Sequence, residues 1–343
     1  MQHSSIGCIL GFGIMLYLNQ KAMRYFLTFL SIALIYSSID AQPKSYAQAG
    51  ALLQPRIFGE GVVSTGDYES HPAFSPGGDT LYFVKSGPDI SKWTICVSYY
   101  KNGAWAAPSI APFSGQYMDA DPFFTKDGKT LYFISNRPLK AGDPAKADMD
   151  IWKMERTKMG WSEPVRMEAP VNSDKSEYYP TLTDKGTLYF GSRRDGGLGG
   201  SDIFRSVLVD GKYQQPENLG EAINTPGSEY EPFIFPDEKI LIFLAARPDH
   251  LDNADLYVSY NENGKWTPAE RLPEPFNSGV TEFSPKVSRD GKYFFFASSR
   301  NRNPATTAKP ETATEMDKRL HSAGNGLSDI YQVDLSALNL RKP

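Results

Sequence analysis

Residues 176–204 read SEYYPTLTDKGTLYFGSRRDGGLGGSDIF. Glu177 stands three residues before Pro180, and a short alternating run leads to a tight turn at Asp184-Lys185-Gly186. A second apolar run, Leu188-Tyr189-Phe190, ends at Ser192 and Arg194; a glycine-rich loop then reaches Ser201-Asp202-Ile203-Phe204. Apolar runs of this length bounded by Asp/Gly turns predict strand, hairpin and strand.

The same pattern recurs four more times. Its acid and proline are Glu69 and Pro72, Asp119 and Pro122, Glu229 and Pro232, and Glu282 and Pro285. Each copy continues through a turn into an aromatic run: Leu81-Tyr82-Phe83, Leu131-Tyr132-Phe133, Leu241-Ile242-Phe243 and Phe294-Phe295-Phe296. A third strand follows in each, starting near Thr94, Asp150, Asp202, Asp255 and Asp329, and in the first four copies a weaker run with Trp or Tyr and Pro comes last. Proline is tolerated on an outer strand and not in a central one, so the fourth run is outermost.

Four short strands per period of about 50 residues define a propeller blade. The expected fold is all-β, a five-bladed β-propeller; a six-bladed ring is the alternative and requires a degenerate copy. The fifth copy lacks its fourth strand. Gln54-Pro55-Arg56-Ile57-Phe58-Gly59 resembles Gln215-Pro216-Glu217-Asn218-Leu219-Gly220, so residues 54–64 are expected to close the last blade. Closure removes the exposed sheet edges that invite aggregation.

The domain plan has three parts. Residues 1–41 read as a signal peptide, with Met23 as an alternative start: Arg24 precedes the apolar stretch Phe26–Tyr36, and Ile39-Asp40-Ala41 makes a cleavage site. Residues 42–53 form a leader, and 54–340 a single propeller domain. The product is expected in the periplasm or secreted, with no stable membrane span after processing. A net charge of −4 supplies no basic field for nucleic acid. After processing Cys96 stands alone, read as a small buried strand residue. Residues 301–327, polar and rich in Thr, Ala and Lys, are expected to form a long mobile loop.

Three charged positions recur: the first-strand acid (Glu69, Asp119, Glu177, Glu229, Glu282), an arginine after the second strand (Arg137, Arg194, Arg247, Arg300), and an aspartate opening the third strand (Asp150, Asp202, Asp255, Asp329). The hairpins place them together as an acid–Arg–acid cluster that ties strands. The first copy has Gly87 and Thr94 in place of the arginine and aspartate, which leaves Glu69 without an arginine. The candidate ligand or partner positions are therefore Glu69 and His71, followed by Asp119, Glu177, Glu229 and Glu282. No catalytic residue, metal site or cofactor is assigned; a Ca or Mg ion on the first-strand acids is the alternative. Tyr117, Tyr178, Tyr179, Tyr230 and Phe283 cluster at the same entry positions.

The combination Glu-x-x-Pro, Asp-Gly, Leu-Tyr-Phe, Ser-x-Arg and Ser-Asp-Ile-Phe/Tyr resembles the TolB-type, WD40-like propeller repeat of exported bacterial proteins. The loop Arg194 to Asp202 looks like the version in Bacteroidetes-type envelope proteins. The resemblance implies a protein-interaction module of the cell envelope with a protein partner. The alternative is a carbohydrate-active or glycan-binding propeller, a lyase or glycosidase. The balance is against an enzyme.

Overall fold

Each copy of the repeat folds into one antiparallel sheet whose strands follow one another outward, and five such sheets make the ring. The structure is a computed structural model describing residues 45–47, 50–140, 142–247, 250–303 and 309–341. Residues 1–41, read from sequence as a signal peptide, lie outside the described residues. Among them no helix is long and apolar enough to cross a membrane.

Blade I holds Tyr68–Phe74, Thr80–Ser86 and Thr94–Lys101; blade II, Asp119–Phe124, Thr130–Ser135 and Asp150–Thr157. Blade III holds Glu177–Leu182, Leu188–Ser192 and Asp202–Ser206; blade IV, Ser228–Ile234, Ile240–Arg247 and His250–Glu262. Blade V holds Glu282–Val287, Tyr293–Ser298 and Asp329–Asp334. The second strands are almost wholly buried because each lies between two neighbouring blades. That is why they read as unbroken apolar runs rather than alternating ones.

The outer strand is split. In blade I, Ala104–Trp105 and Ser109–Ile110 both pair with the third strand, with Pro108 between them, and blades II and IV repeat this around Pro164 and Pro268. Proline lacks the N–H that a continuous ladder needs.

The N-terminal segment closes the ring. Arg56–Ile57 pairs with the third strand of blade V, Arg56 opposite Gln332 and Ile57 opposite Tyr331. The Phe58 N–H donates to the Ile330 carbonyl at 2.8 Å. The insertion 301–327 departs from expectation, because Ala313–Leu320 is helical. Thr312 and Glu315 cap it reciprocally, which stabilises a short helix with no buried face. Arg302 pairs with Glu60 at 2.5 Å, and Asn325 donates to the Gly66 carbonyl at 3.1 Å. A Cβ on Gly66 would lie 2.4 Å from the His321 main chain, so only glycine allows this approach. Arg302, His321 and Asn325 of the insertion thus pack on Glu60 and Gly66.

Every inner strand carries a register break just before its proline. The residue there has left-handed backbone: His71 (φ 54°), Asp121 (55°), Tyr179 (50°), Glu231 (52°) and Ser284 (58°). A bulge re-aims the bulged side chain. Five bulges around one axis bring these five residues together at the neck of the channel.

Candidate functional site

The first-strand acids are all 0 % exposed. Glu177 accepts from Ser173 N (3.1 Å), Ser173 Oγ (2.6 Å), Ser192 Oγ (3.0 Å) and Arg194 Nη2 (3.1 Å). Glu229 has Thr225 in place of the serine and an ion pair with Arg247 at 3.5 Å, and Glu282 has Ser278, Ser298 and Arg300. Asp119, one methylene shorter, takes Ser114 Oγ at 2.8 Å and Arg137 Nη2 at 2.7 Å. Burial pushes the Glu177 and Glu229 carboxyls above the usual range, against the hydroxyl and main-chain donors and the arginines. A Ser or Thr four residues before each glutamate was the sequence signal for this capping arrangement.

The expected acid–Arg–acid cluster separates: the arginine goes to the first-strand acid, and the third-strand aspartate finds other partners. The arginine stacks on aromatics of the second and third strands; the Arg194 guanidinium lies 4.9 Å from the Phe190 ring and 5.2 Å from Phe204. Its other N–H groups go to Ser192 Oγ and the carbonyls of Pro170 and Val171, not to Asp202. Asp202 instead accepts from Leu198 N, Gly199 N and Asn218. Asp150 takes Arg166 and Lys146, and Asp255 takes Arg271 from the outer strand.

Blade I rebuilds its pair differently. Where other blades place Trp152, Phe204, Tyr257 or Tyr331 opposite the second-strand aromatic, blade I has Cys96 opposite Phe83. With no arginine to stack, the aromatic is dispensable; burial pushes the Cys96 thiol up to about 11, which keeps it inert. Glu69 does not stand without a cation. Lys85, directly across the hairpin, reaches it at 3.1 Å, and Thr65 supplies Oγ1 at 2.5 Å and N at 3.0 Å. Lys85→Met is expected to cost about 2–3 kcal/mol by chemical denaturation, below the full penalty of a broken buried pair because Lys85 is 25 % exposed. A loss under about 0.5 kcal/mol would mean that Thr65 alone satisfies Glu69.

The neck is where groups from different blades converge. His71 Nε2 lies 3.0 Å from Asp121 Oδ1 and 3.1 Å from Glu231 Oε1, and its Nδ1 is 2.6 Å from Ser70 Oγ. Asp121 Oδ2 accepts from Tyr179 N at 2.8 Å, and Glu231 Oε2 from Ser284 N at 2.5 Å. The Tyr179 hydroxyl crosses to the Pro285 carbonyl at 2.7 Å. All five blades are joined by this web. Burial works to lower the His71 pKa, but Asp121 and Glu231 overcome it and hold the imidazole above its ordinary value. Burial raises the Asp121 carboxyl, with the His71 charge opposing and Glu231 reinforcing.

Of the ligand or partner candidates read from sequence, only His71 belongs to the neck; Tyr179, read there among the entry aromatics, joins it. Asp121, Glu231 and Ser284 were not singled out. Their signal was a column, the residue before each proline, that holds His, Asp, Tyr, Glu and Ser while its neighbours repeat.

Before the neck lies a mouth chamber of about 330 Å³. Tyr68, Trp93, Tyr178, Tyr230 and Phe283 form its walls, Arg193 contributes to the lining, and His71, Asp121 and Glu231 form its floor. Tyr178 and Tyr230 meet edge to face at 6.5 Å, and the Arg193 guanidinium lies 5.8 Å over Tyr178. None of the five first-strand acids lines this chamber.

No family model and no curated protein matches the chain. Among solved structures it is similar to a glycoside hydrolase at 11% identity and TM-score 0.50, covering 84% of this chain and 92% of that one. It is also similar to a putative TolB from Agrobacterium tumefaciens (15% identity, TM-score 0.45, 78% and 90% covered). The third is an alpha-L-arabinofuranosidase from Lactobacillus brevis (15%, 0.45, 80% and 92%). These distant likenesses concern the propeller fold, and fold does not carry function.

Proposed function

We propose that the protein is an exported binding module of the cell envelope that receives a segment of a protein partner in the aromatic mouth of its channel. One observation carries this reading: the walls are aromatic while the floor is already satisfied. Asp121 and Glu231 share the one His71 Nε2–H edge, and their other oxygens accept from Tyr179 N and Ser284 N, so both carboxylates are tied into the web between the blades, which argues against the glycosidase roles of a free acid and base. Aromatic side chains supply large contact area at low entropic cost, which suits recognition. The signal-like residues 1–41 support export. The test is capture from envelope extract with wild-type and Tyr178→Ala/Tyr230→Ala baits. A partner retained by the first and lost by the second supports the reading; no specific partner, or equal retention by both, counts against it.

A glycan ligand is the second reading, favoured by ring faces beside the Arg193 guanidinium. Trp93 in the wall reports on it directly. Quenching of its fluorescence by one member of a polysaccharide panel, lost in the Tyr178→Ala/Tyr230→Ala protein, is the expected signature; a silent panel removes this reading.

A further inference from the structure

The column just before the recurring arginine reads Ser86, Asn136, Arg193, Ala246 and Ser299, so blade III alone carries a charge there. Consecutive residues of an extended chain point to opposite faces. Just past the second strand of blade III, Arg194 accordingly turns inward to Glu177. Arg193 is exposed and lines the mouth chamber, its guanidinium 5.8 Å over the Tyr178 ring.

Stacking on a ring uses the face of a guanidinium and leaves the N–H donors along its edge free. Among the described residues no acceptor meets the Arg193 side-chain donors and no carboxylate lies at ion-pair distance from them. The other charged groups of the lining, His71, Asp121 and Glu231, are engaged with one another and with main-chain N–H groups. The His71 Nε2 faces both carboxylates and its Nδ1 faces Ser70 Oγ, so the floor offers an incoming anion no free donor. Arg193 is therefore the one unanswered charge of the chamber lining. Trp93, Tyr178, Tyr230, Leu244 and Phe283 wall the same space. Since a cavity of about 150 Å³ holds a benzene ring, a chamber of about 330 Å³ has room for an aromatic side chain and part of the chain that carries it.

Resting on the mouth as the partner site, we propose that the segment it receives pairs an acid with an aromatic residue: an Asp or Glu carboxylate accepts from the Arg193 guanidinium, and a neighbouring aromatic side chain fills the chamber. The carboxylate supplies the acceptors that Arg193 lacks, and its planar shape matches the guanidinium fork. The aromatic side chain meets ring walls at low entropic cost. The same cation disfavours a basic segment, so one residue sets the sign of the partner.

The test selects random heptapeptides displayed on phage against the full chain, with the Tyr178→Ala/Tyr230→Ala protein as counter-selection. Wild type is expected to enrich peptides with an acid beside an aromatic residue, and Arg193→Glu to enrich a basic residue in place of the acid. Exchanging the acid of a selected peptide for its amide should weaken binding to wild type about fivefold to tenfold and leave binding to Arg193→Met unchanged. The wild-type preference for the acid should shrink between about 0.05 M and about 0.5 M NaCl. Peptides that need the two tyrosines but carry no acid, or the same peptides from wild type and Arg193→Glu, overturn the proposal and leave the mouth standing as a binding site. No peptide that needs the two tyrosines overturns the proposal together with the reading it rests on; polygalacturonate retained through Arg193 in that case assigns the mouth to a glycan. If an Arg193 variant fails to fold, the acid and amide peptides on wild type decide alone, and equal binding of the two overturns it.

Discussion

Replacing His71 with alanine is expected to destabilise the propeller by about 3–5 kcal/mol at pH 6, measured by urea unfolding. The imidazolium is the shared partner of Asp121 and Glu231, each held within 3.1 Å of one nitrogen in a nearly dry neck. Removing it leaves two like charges facing one another in low dielectric, and one must take up a proton. The sign of the pH dependence follows from the raised folded-state pKa. The His71 contribution is complete below the unfolded value near 6.5 and is lost as pH rises through the folded value. The gap between wild type and His71→Ala should therefore narrow toward alkaline pH. His71→Gly separates backbone from charge, because glycine relieves about 1 kcal/mol of left-handed strain while losing the same ion pairs. A cost below about 1 kcal/mol at pH 6 would mean that the web contributes little to holding the blades together.

Phe58→Ala is expected to cost about as much, 3–5 kcal/mol, through a cavity where the ring closes. Phe58 is 4 % exposed and meets Phe74 at 5.5 Å, Trp105 at 5.9 Å and Phe295 at 5.4 Å, all edge to face. Phe74 and Trp105 belong to blade I and Phe295 to blade V, so one side chain joins both sides of the seam. The seam already carries a weak point. Ile57 occupies the outer-strand place from which Arg166, Asn218 and Arg271 serve the third-strand aspartates of blades II, III and IV. Asp329 is left with Gly324 N on Oδ2, and its buried Oδ1 has no hydrogen-bond partner. Burial pushes its carboxyl up to about 7. A folded-state pKa raised this far favours the seam while the group is protonated, and that advantage is lost as pH rises through about 7. In Phe58→Ala, amide exchange should accelerate across Asp329–Asp334 at pH 8 more than across Asp202–Ser206. Uniform acceleration in both strands would mean that the ring does not open at this seam.

Much of the fold could be read before any coordinates because the repeat is spelled five times. A single Asp-Gly turn is weak, but five in register with Leu-Tyr-Phe runs leave few alternatives to blades. The closing strand was legible for the same reason, as residues 54–59 resemble 215–220. What escaped was what the repeat does not share. Lys85 replaces an arginine from a different position, because the cross-hairpin site lies as near to Glu69 as the lost guanidinium would have. The helix Ala313–Leu320 hid in a polar stretch, although Thr312 and Glu315 carry a capping box. The neck was the largest omission. The varying column before each proline marks these positions, but a left-handed residue before proline is locally unfavourable, so the pattern does not say that His71, Asp121, Tyr179, Glu231 and Ser284 turn inward. Their meeting depends on ring closure, a property of the whole fold.

The central claim is that the aromatic mouth is a binding surface for a partner. The most direct measurement places the photo-crosslinker p-benzoylphenylalanine at position 178, and separately at Lys212 on an outer hairpin, in cells that make the protein. The account predicts one discrete adduct from position 178, abolished by Tyr230→Ala, and none from position 212. Adducts of equal yield and pattern from both positions, or none from position 178, would contradict it.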